Sequence, residues 1–490
     1  MTSKVFFCGA AMALAGMLAS CIGSSSSSTY TTYDDVAITS FTLGKVKCVR
    51  TVTKSDGTDS TYTYTYSGSL FPVHIDQFRS LLYNEDSLSV GSDLSRVLVT
   101  IGTHNGGAVW FKNIDDDGYT YYSSTDTVDL SQERILRVYS TDGEHSRDYR
   151  ANLAVHKEYA DSFTWDKQTV SIAARLASFK KMTSKALDGV VYLLASDDAN
   201  TVMLRSADGK EWSDCQMSGV ASLDADASLA VCDGSLWLLS GGILYTSGDG
   251  DAWTSVAENA ELAQILGGCA YRNDEDELIV NELYALSKEG KIMRSVDDGA
   301  TWAEDDMGDN NYYDNTSKLP TADVNFVVAE SKLYSGVGSA TIVGNIEYTG
   351  AEDDALATAV VWNKTVDAES PQGWFFTNTA WNNREYILPR MEKLAATYYA
   401  DGIVAIGGNP INNSAVAFSQ LYYSPDHGAT WHKQEGMGLP KGFAAKNIAT
   451  VVGDGNGFIY IITDGDGNEG QVWKGRKNSE TWTDYPKLYQ

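Results

Sequence analysis

The sequence predicts an all-β protein in which a small immunoglobulin-like β-sandwich is followed by a six-bladed β-propeller. Three observations predict this fold. The chain contains 28 Tyr and 44 Gly but only 8 Pro, as expected for many strands and turns. A tight hairpin motif recurs in its second half, and a two-strand unit recurs with it. Recurrence at intervals of tens of residues is typical of repeat folds.

The hairpin motif reads Ser-x-Asp-x-Gly-x-Thr-Trp, a pattern called an Asp box. Full copies begin at Ser295 and Ser424, shortened copies at Ser206 and Ser247, and a worn copy ends at Trp482. The Asp carboxylate can accept hydrogen bonds from turn amides, the Gly can take a positive φ, and the Trp packs inward. We therefore assign a structural role to Ser206, Asp208, Trp212, Ser247, Asp249, Trp253, Ser295, Asp297, Trp302, Ser424, Asp426 and Trp431.

A short apolar strand occurs six times in the second half, and each copy is followed by another strand and then a tryptophan. These tryptophans are Trp212, Trp253, Trp302, Trp374, Trp431 and Trp482. The intervals of roughly 40–70 residues match a four-stranded blade with variable loops. Residues 181–490 are therefore predicted to form a six-bladed propeller with Asp-box hairpins.

The segment 35–158 is rich in predicted strands and is predicted to form the β-sandwich. About seven strands in this length suit an immunoglobulin-like domain. A short helix is expected at Ile75–Tyr83. Residues 159–180 are either a linker or an outer strand, around Trp165, that closes the propeller.

The N-terminus has the form of a bacterial lipoprotein signal. Residues 1–20 contain Lys4 and an apolar run, and small residues precede Cys21. We expect Cys21 to carry lipid and residues 21–34, rich in Ser and Thr, to be a tether. An ordinary signal peptide with an incidental Cys21 is the alternative. Lipidation would place the protein at the outer membrane, on the periplasmic or the cell-surface face.

The net charge of −28 argues against nucleic acid and against adhesion to anionic lipid as partners. Outside the signal and Cys21, the cysteines are Cys48, Cys215, Cys232 and Cys269. Their spacing fits no metal site and pairs none of them, so buried free thiols are expected.

No cofactor or metal is expected. Asp464, Asp466 and Asn468 have the oxygen spacing that opens a calcium loop, but Gly475 stands where the closing Glu should be. A polar hairpin is the favoured interpretation there, and calcium the alternative.

Asp boxes of this form occur in sialidases, sortilin-type receptors and photosystem-assembly propellers. The combination of a lipobox before Cys21, a small sandwich and an Asp-box or Kelch-like propeller resembles a family of uncharacterised Bacteroidetes outer-membrane lipoproteins. The resemblance covers nearly the whole chain. It implies the fold and the anchoring, and it implies no established activity.

The Asp boxes make sialidases the enzyme class to test first. A resemblance to sialidases would imply an Arg-Ile-Pro motif and three arginines that bind the substrate carboxylate. The motif is absent, since the first blade offers only Arg175-Leu176 and Arg205. Arg205 and Arg294 directly precede hairpin serines, which places them away from a ligand funnel. We therefore expect a protein without sialidase activity, and no catalytic residue is assigned.

Propeller topology predicts where a ligand would bind. Hairpins between third and fourth strands lie on one face, and the links between blades lie on the opposite, ligand-binding face. Candidate ligand-binding residues on those links and loops are Tyr312, Tyr313, Trp381, Asn382, Arg384, Arg390 and Asn409. Aromatic rings, amides and guanidinium groups suit a sugar or a peptide.

We therefore expect a non-enzymatic envelope lipoprotein whose propeller binds a glycan or a protein partner. The alternatives are a carbohydrate-active enzyme that uses the funnel, resembling a glycoside hydrolase, and a scaffold subunit of a nutrient-uptake complex.

Overall fold

The computed structural model describes residues 31–53, 59–159, 163–273, 275–308, 315–331, 334, 336–346, 358–379, 384–410, 416–433 and 438–478. The predicted signal peptide, Cys21 and most of the tether lie outside these ranges. So do Tyr312, Tyr313, Trp381, Asn382 and Trp482. The described chain divides into two compact units, residues 31–158 and 159–478.

The first unit is built from strands around one apolar core. They are β1 (Ile38–Leu43), β2 (Lys45–Thr53), β3 (Asp59–Ser67), β4 (Val73–Asp76), β5 (Leu81–Asn84), β6 (Ser92–Asp93), β7 (Val97–Thr103), β8 (Ala108–Lys112), β9 (Tyr119–Tyr121), β10 (Thr127–Val128), β11 (Arg134–Tyr139) and β12 (Ser146–Asn152). The sheets run β4-β5-β12-β11-β8-β9, β1-β7-β10 and β3-β2-β6. Short 3-10 turns occupy Gly68–Leu70 and His104–Gly106.

The helix expected at Ile75–Tyr83 is wrong. This segment is a hairpin in which β4 pairs antiparallel with β5, Ile75 opposite Leu82. Ser80 takes a φ of +55°, and the Asp76 carboxylate accepts the backbone N–H of Arg79. A polar turn therefore interrupts the helical spacing, while Leu82 is fully buried in the core.

The second unit contains six sheets in chain order, which we number as blades 1 to 6. Blades 1 to 3 are β14 (Lys181–Leu187), β15 (Val190–Ser196), β16 (Thr201–Ser206) and β17 (Ser213–Asp214); β18 (Ser228–Cys232), β19 (Ser235–Ser240), β20 (Ile243–Ser247) and β21 (Thr254–Glu258); and β22 (Leu262–Arg272), β23 (Leu278–Ser287), β24 (Ile292–Ser295) and β25 (Ala303–Glu304).

Blades 4 to 6 follow the same antiparallel order. They are β26 (Ala322–Glu330), β27 (Val337–Asn345), β28 (Val360–Asp367) and β29 (Phe375–Thr377); β30 (Ala395–Tyr399), β31 (Gly402–Ile406) and β32 (Tyr422–Ser424); and β33 (Ala449–Gly453), β34 (Ile459–Thr463), β35 (Gln471–Lys477) and β13 (Phe163–Gln168). The one α-helix of the described residues, α1 (Ala173–Leu176), and 3-10 turns at Asn315–Lys318 and Arg384–Tyr386 lie between strands.

The six first strands stand side by side and close a ring. β14 neighbours β18, and the contacts continue through β22, β26, β30 and β33 back to β14. Because each blade contacts only the next, the apolar core is divided into clusters between neighbouring sheets. The six-bladed β-propeller predicted from the sequence is therefore confirmed.

Polar side chains tie each first strand to the next around the ring. Between blades 2 and 3, Ser228 Oγ accepts the N–H of Ile265 at 2.9 Å. Between blades 4 and 5, the Asn325 amide donates to the Leu394 carbonyl and accepts the Ala396 N–H. The remaining joints use Lys181 with Asp226, Gln264 with the Val324 carbonyl, Thr397 with the Gly453 N–H, and Thr450 with the Ser184 N–H. These contacts join neighbouring blades alongside the apolar clusters.

The ring closes through a strand from the N-terminal side. β13 pairs antiparallel with β35 over its whole length, so it fills the fourth position of blade 6. The Trp165 ring lies over Gly475 and stacks on Phe163, with ring centroids 5.5 Å apart. The sequence pattern assigned that position to the segment containing Trp482, which lies outside the described residues. Residues 159–180 were expected to be either a linker or a closing strand. The pairing of β13 with β35 shows that this segment contains the closing strand.

Four hairpins, which we call the Ser-Asp hairpins, join third and fourth strands at 206–212, 247–253, 295–302 and 424–431. In each, the Ser hydroxyl accepts the Gly N–H and donates to the Asp carboxylate. The Gly has a φ between +78° and +86°. The Trp indole N–H donates to the Gly carbonyl at 2.9–3.0 Å. All twelve Ser, Asp and Trp side chains therefore stabilise turns.

Candidate functional site

The antiparallel order gives the propeller two different faces. The first strands end at the face that carries the Ser-Asp hairpins, which we call the bottom face. They begin at the opposite, top face, together with the links between blades and the loops between second and third strands. The long links 305–321 and 378–394 therefore join blades 3 to 4 and 4 to 5 at the top face.

A cavity of about 360 Å³ lies between the six first strands, near the ends where they begin. We call it the channel mouth. Every blade contributes to its lining, which includes Thr183, Ser228, Gln264, Asn325, Ala395 and Thr450. Its size is within the range of small-molecule sites, and its walls mix aliphatic side chains with hydroxyl and amide groups.

The charged residues of the channel mouth are three lysines and two aspartates. Lys181, at the start of β14, donates to the Asp226 carboxylate at 2.6 Å, so this pair is neutral overall. Lys185 lies four residues further along β14. Lys393 lies in the link just before β30 of blade 5, and Asp323 lies at the start of β26 in blade 4. The lining thus carries a formal excess of one positive charge in a chain of net charge −28.

Lys185 is the lining residue with the most perturbed protonation. Burial lowers the pKa of its ammonium from 10.5 to about 8. Among the described residues it has no ion pair or hydrogen-bond partner. A lysine in this state is a cation that has lost part of its hydration without gaining an anion.

Asp323 is held in an unusual conformation at the same entrance. Its φ is +49°, and β26 has a register shift there. Its carboxylate accepts the Asn345 side-chain amide and the backbone N–H of Lys393, each at 3.0 Å. Burial raises the pKa of Asp323 above its usual range, although these hydrogen bonds oppose the shift.

None of the described residues among the predicted ligand contacts belongs to the lining of the channel mouth. Arg390 is 3% exposed, so its side chain is not displayed on the surface. Asn409 is exposed, and its amide lies 3.4 Å from the Glu392 carboxylate. The backbones of Glu392 and Asn409 are hydrogen-bonded, which joins the link before β30 to the loop after β31. The Arg384 backbone begins a 3-10 turn, and its side chain lies outside the described part of the structure.

The carboxylates proposed for calcium are engaged by N–H groups. Asp464 is 1% exposed and accepts the backbone N–H groups of Lys446 and Asn447 at 2.8 and 2.9 Å. Asp466 accepts the N–H groups of Asn468 and Glu469 within its own turn. Because N–H donors point at these oxygens, the arrangement is a polar turn that holds the link before β33, and it does not suit a cation.

Four arginines of the propeller unit are paired with acidic side chains. Arg205 contacts Asp251 at 2.7 Å, and Arg294 contacts Glu282 at 2.9 Å. Arg175 pairs with Asp214, and Arg272 pairs with Asp233. Each of these four guanidinium groups therefore has a carboxylate partner within or beside its own blade.

Other sequence expectations concern thiols, metals and the membrane. Cys48, Cys215, Cys232 and Cys269 are all free and buried, as predicted. Among the described residues there is no group of three or more His, Cys, Asp or Glu side chains placed to hold a metal ion. Within the same ranges, no helix has the length and apolar character needed to span a bilayer.

Comparison with known families places both units. Residues 159–485 match the family model described as "DUF6242 beta propeller domain", and residues 41–153 match "Domain of unknown function (DUF6242) N-terminal domain". The chain belongs to the DUF6242 family. No protein with a curated function matches this DUF6242 protein.

Several solved structures are similar to this DUF6242 protein at low identity. YCF48 from Cyanidioschyzon merolae is 12% identical, with 63% of this chain and 98% of that chain covered and a TM-score of 0.28. The six-bladed Aleuria aurantia lectin is 11% identical, with 62% and 93% covered and a TM-score of 0.36. A glycosyl hydrolase from Bacteroides ovatus is 10% identical, with 54% and 87% covered and a TM-score of 0.29.

The lining of the channel mouth in this DUF6242 protein was not among the residues predicted from the sequence. The predictions rested on the second and third strands of the blades, whose apolar runs and hairpins repeat, and not on the first strands. The available signal was the polar alternation of Lys181, Thr183 and Lys185 in a strand that directly precedes an apolar one. Polar residues at every second position of a strand indicate a face that meets water.

Proposed function

We propose that this DUF6242 protein is a binding protein of the cell envelope that captures a glycan at the top face of its propeller. The channel mouth is the observation that carries this proposal. It is a concave site of about 360 Å³ to which all six blades contribute, on the face that also carries the long links. A β-propeller fold supports a binding or scaffold role, and a site of this size suits a small polar group better than a broad protein surface.

The lining favours a sugar over an apolar ligand. Thr183 lines the cavity, and the Gln264 side-chain amide donates to the Val324 carbonyl at 3.2 Å. Hydroxyl and amide groups both donate and accept, which matches the hydroxyl groups of a sugar ring. Phe326, also in the lining, adds an apolar surface for the ring carbons.

The links around the mouth would supply further contacts. Trp381, Asn382 and Arg384 stand in the link from blade 4 to blade 5, and Tyr312 and Tyr313 stand in the link from blade 3 to blade 4. Both links begin and end at the top face. We infer that these aromatic and amide side chains extend the binding surface from the channel mouth along a longer glycan.

Anchoring through Cys21 completes the proposal. The apolar run before Cys21 and the small residues next to it support lipidation, and the resemblance to Bacteroidetes lipoproteins supports an outer-membrane location on the periplasmic or cell-surface face. Labelling cells with a radioactive fatty acid tests this step. Label in the wild-type protein that is lost in Cys21→Ser is expected, and an unlabelled wild type excludes a lipid anchor.

A carbohydrate-active enzyme is the second candidate, and Asp323 is the observation that favours it. A carboxylic acid with a raised pKa can act as a general acid, and glycoside hydrolysis commonly uses two carboxyl groups. The other carboxylate of the lining, Asp226, is paired with Lys181, which leaves it poorly placed to activate water.

A glycan array probed with the purified protein, combined with a turnover assay on labelled oligosaccharides, separates these functions. Binding that is lost in Trp381→Ala and Arg384→Ala but retained in Lys210→Ala supports a sugar-binding top face. Lys210 is exposed on a bottom hairpin and serves as the matched control. Turnover abolished by Asp323→Asn supports the enzyme. If wild-type protein neither binds nor cleaves any glycan, a protein partner or a scaffold role in a nutrient-uptake complex replaces the proposal.

A further inference from the structure

Lys185 is a cation in the lining of the proposed site, and it has no anionic partner among the described residues. It projects from the first strand of blade 1 and lines the channel mouth. Lys393 is exposed at the edge of the lining, and the other three lining charges already have partners in the protein. Lys181 is paired with Asp226, and Asp323 accepts Asn345 and the backbone of Lys393.

We propose that the Lys185 ammonium binds a carboxylate of the ligand, so that the glycan captured in the channel carries an acidic sugar. This inference rests on the proposed function and specifies its ligand class. The geometry supplies three requirements for such a contact: a cationic donor, a cavity open to the top face, and, within the described part of the chain, no carboxylate on that donor. Charge-assisted hydrogen bonds are roughly twice as strong as neutral ones.

The charge distribution supports an acidic ligand over a neutral or basic one. The whole chain has a net charge of −28, and a small anion would be repelled from most of its surface. The channel mouth reverses this sign locally, because Lys181, Lys185 and Lys393 outnumber Asp226 and Asp323. An anion that enters the channel mouth therefore meets a local excess of positive charge.

The protonation of Lys185 gives the contact a measurable signature. With a pKa of about 8, the ammonium is partly deprotonated in mildly alkaline solution. A bound carboxylate would favour the charged form, so binding should take up a proton and weaken as the pH rises above 8. The charged groups that line the cavity beside Lys185 are Lys181, Lys393, Asp226 and Asp323, and none of them has its ordinary pKa between 7 and 9.

Calorimetry on the purified full-length protein tests the inference with a matched pair of sugars. Glucuronic acid and glucose differ at a single carbon, and oligosaccharides ending in either one extend the comparison. We expect the acidic member to bind about tenfold tighter or more, an advantage that Lys185→Gln removes and that Lys210→Gln on the bottom face retains. In wild type, the affinity for the acidic sugar should fall as the pH rises from 7.5 to 9.5.

The outcomes distinguish failure of this inference from failure of the proposed function. Equal affinity for the two sugars, unchanged by Lys185→Gln, overturns the acidic ligand and leaves glycan binding standing. Absence of binding to every sugar overturns both. A peptide with a free C-terminus that binds through Lys185, while its amidated form does not, would assign the carboxylate to a protein partner and overturn the acidic sugar. If Lys185→Gln fails to fold, the pH dependence of the wild type decides.

Discussion

Lys364 and Asp305 form a buried ion pair between blades 3 and 4, with Lys364 Nζ 2.7 Å from Asp305 Oδ2. The two side chains are 3% and 1% exposed. The indole N–H of Trp374 donates to the same carboxylate oxygen at 2.8 Å. Blade 4 lacks the Ser-x-Asp sequence, so its tryptophan is fixed by an aspartate of the preceding blade and not by a glycine carbonyl of its own hairpin.

Replacing Lys364 should therefore destabilise the propeller far more than replacing a surface lysine. Lys364→Met leaves the Asp305 carboxylate buried, with Arg294 3.6 Å away as its nearest remaining cation. Loss of one partner of a buried pair costs about 3–5 kcal/mol. Thermal unfolding followed by circular dichroism measures the loss.

A matched surface pair provides the control for Lys364. Lys291 contacts Glu304 at 3.0 Å in an exposed position, and Lys291→Met should leave the melting temperature nearly unchanged. The double variant Asp305→Asn with Lys364→Met should be more stable than Lys364→Met alone. A single variant that melts with the wild type would show that the buried pair contributes no stability.

The Ser-Asp hairpins predict sensitivity to acid. The pKa lies below its usual range for Asp208, Asp249, Asp297 and Asp426. Hydrogen bonds from turn amides lower the pKa of Asp208 and Asp249. Hydrogen bonds from the Thr301 hydroxyl and N–H lower the pKa of Asp297. Because the folded-state pKa is depressed, this stability is present above about pH 4 and is lost as the pH falls through the folded values.

The test for the hairpins compares the wild type with a variant in which all four aspartates are replaced by Asn. At pH 6 the variant should have a lower melting temperature than the wild type. Between pH 6 and pH 2.5 the melting temperature of the variant should fall less than that of the wild type. Two curves that fall in parallel would mean that other carboxylates cause the acid loss.

Repeated local signals made the propeller predictable from sequence. The turn chemistry of hairpins such as Ser295–Trp302 is contained within eight consecutive residues, and the apolar second strands are almost fully buried. Both signals depend on local structure, and both recur in the blades that carry a Ser-Asp hairpin. The closing strand around Trp165 was one of two alternatives, because its partner Gly475 lies about 310 residues away and no local pattern joins them.

The channel mouth was not predictable in the same way. Its residues come from six strands that are distant in sequence, and Lys185 differs from its counterparts in the other blades. No repeat therefore marks it. The mistaken helix at Ile75–Tyr83 has a related cause, since the apolar spacing fits a helix but the turn at Ser80 and pairing with β12 impose strands.

The four buried cysteines should be unreactive in the native protein. Burial raises the pKa of Cys215 and Cys232 to about 12 and that of Cys269 well above its usual range. The thiolate is the reactive form, so a disulfide reagent at pH 8 should modify these thiols only after unfolding in guanidinium. Rapid labelling of the native protein would contradict their burial.

The same thiols predict a loss of stability in alkali. The unfolded chain ionises its thiols from about pH 9, whereas the folded chain keeps Cys215 and Cys232 protonated to about pH 12. Stability should therefore fall as the pH rises through this interval. A variant with Cys215→Ala and Cys232→Ala should show a smaller decline in melting temperature between pH 8.5 and 10.5.

Gly475 should be essential for seating the closing strand. A methyl group at Gly475 would collide with the Trp165 ring of β13, whereas one at Gly248 would meet open space. Gly475→Ala should therefore destabilise the propeller by about 1–3 kcal/mol and increase proteolysis near residues 159–168, and Gly248→Ala should do neither. Equal melting temperatures for the two variants would show that Trp165 moves aside without cost.

Lys185→Met should raise the melting temperature at pH 7, since it removes a desolvated cation that has no partner. The folded-state pKa of about 8 lies below the unfolded value near 10.5, so the unfolded chain binds more protons between these values. In the wild type this contribution makes stability rise with pH through that interval, and the advantage of the variant should shrink from pH 7.5 to 10. Melting curves of both proteins across this range measure the difference. A wild type that is more stable than Lys185→Met at pH 7 would mean that the ammonium already has a favourable partner in the folded protein.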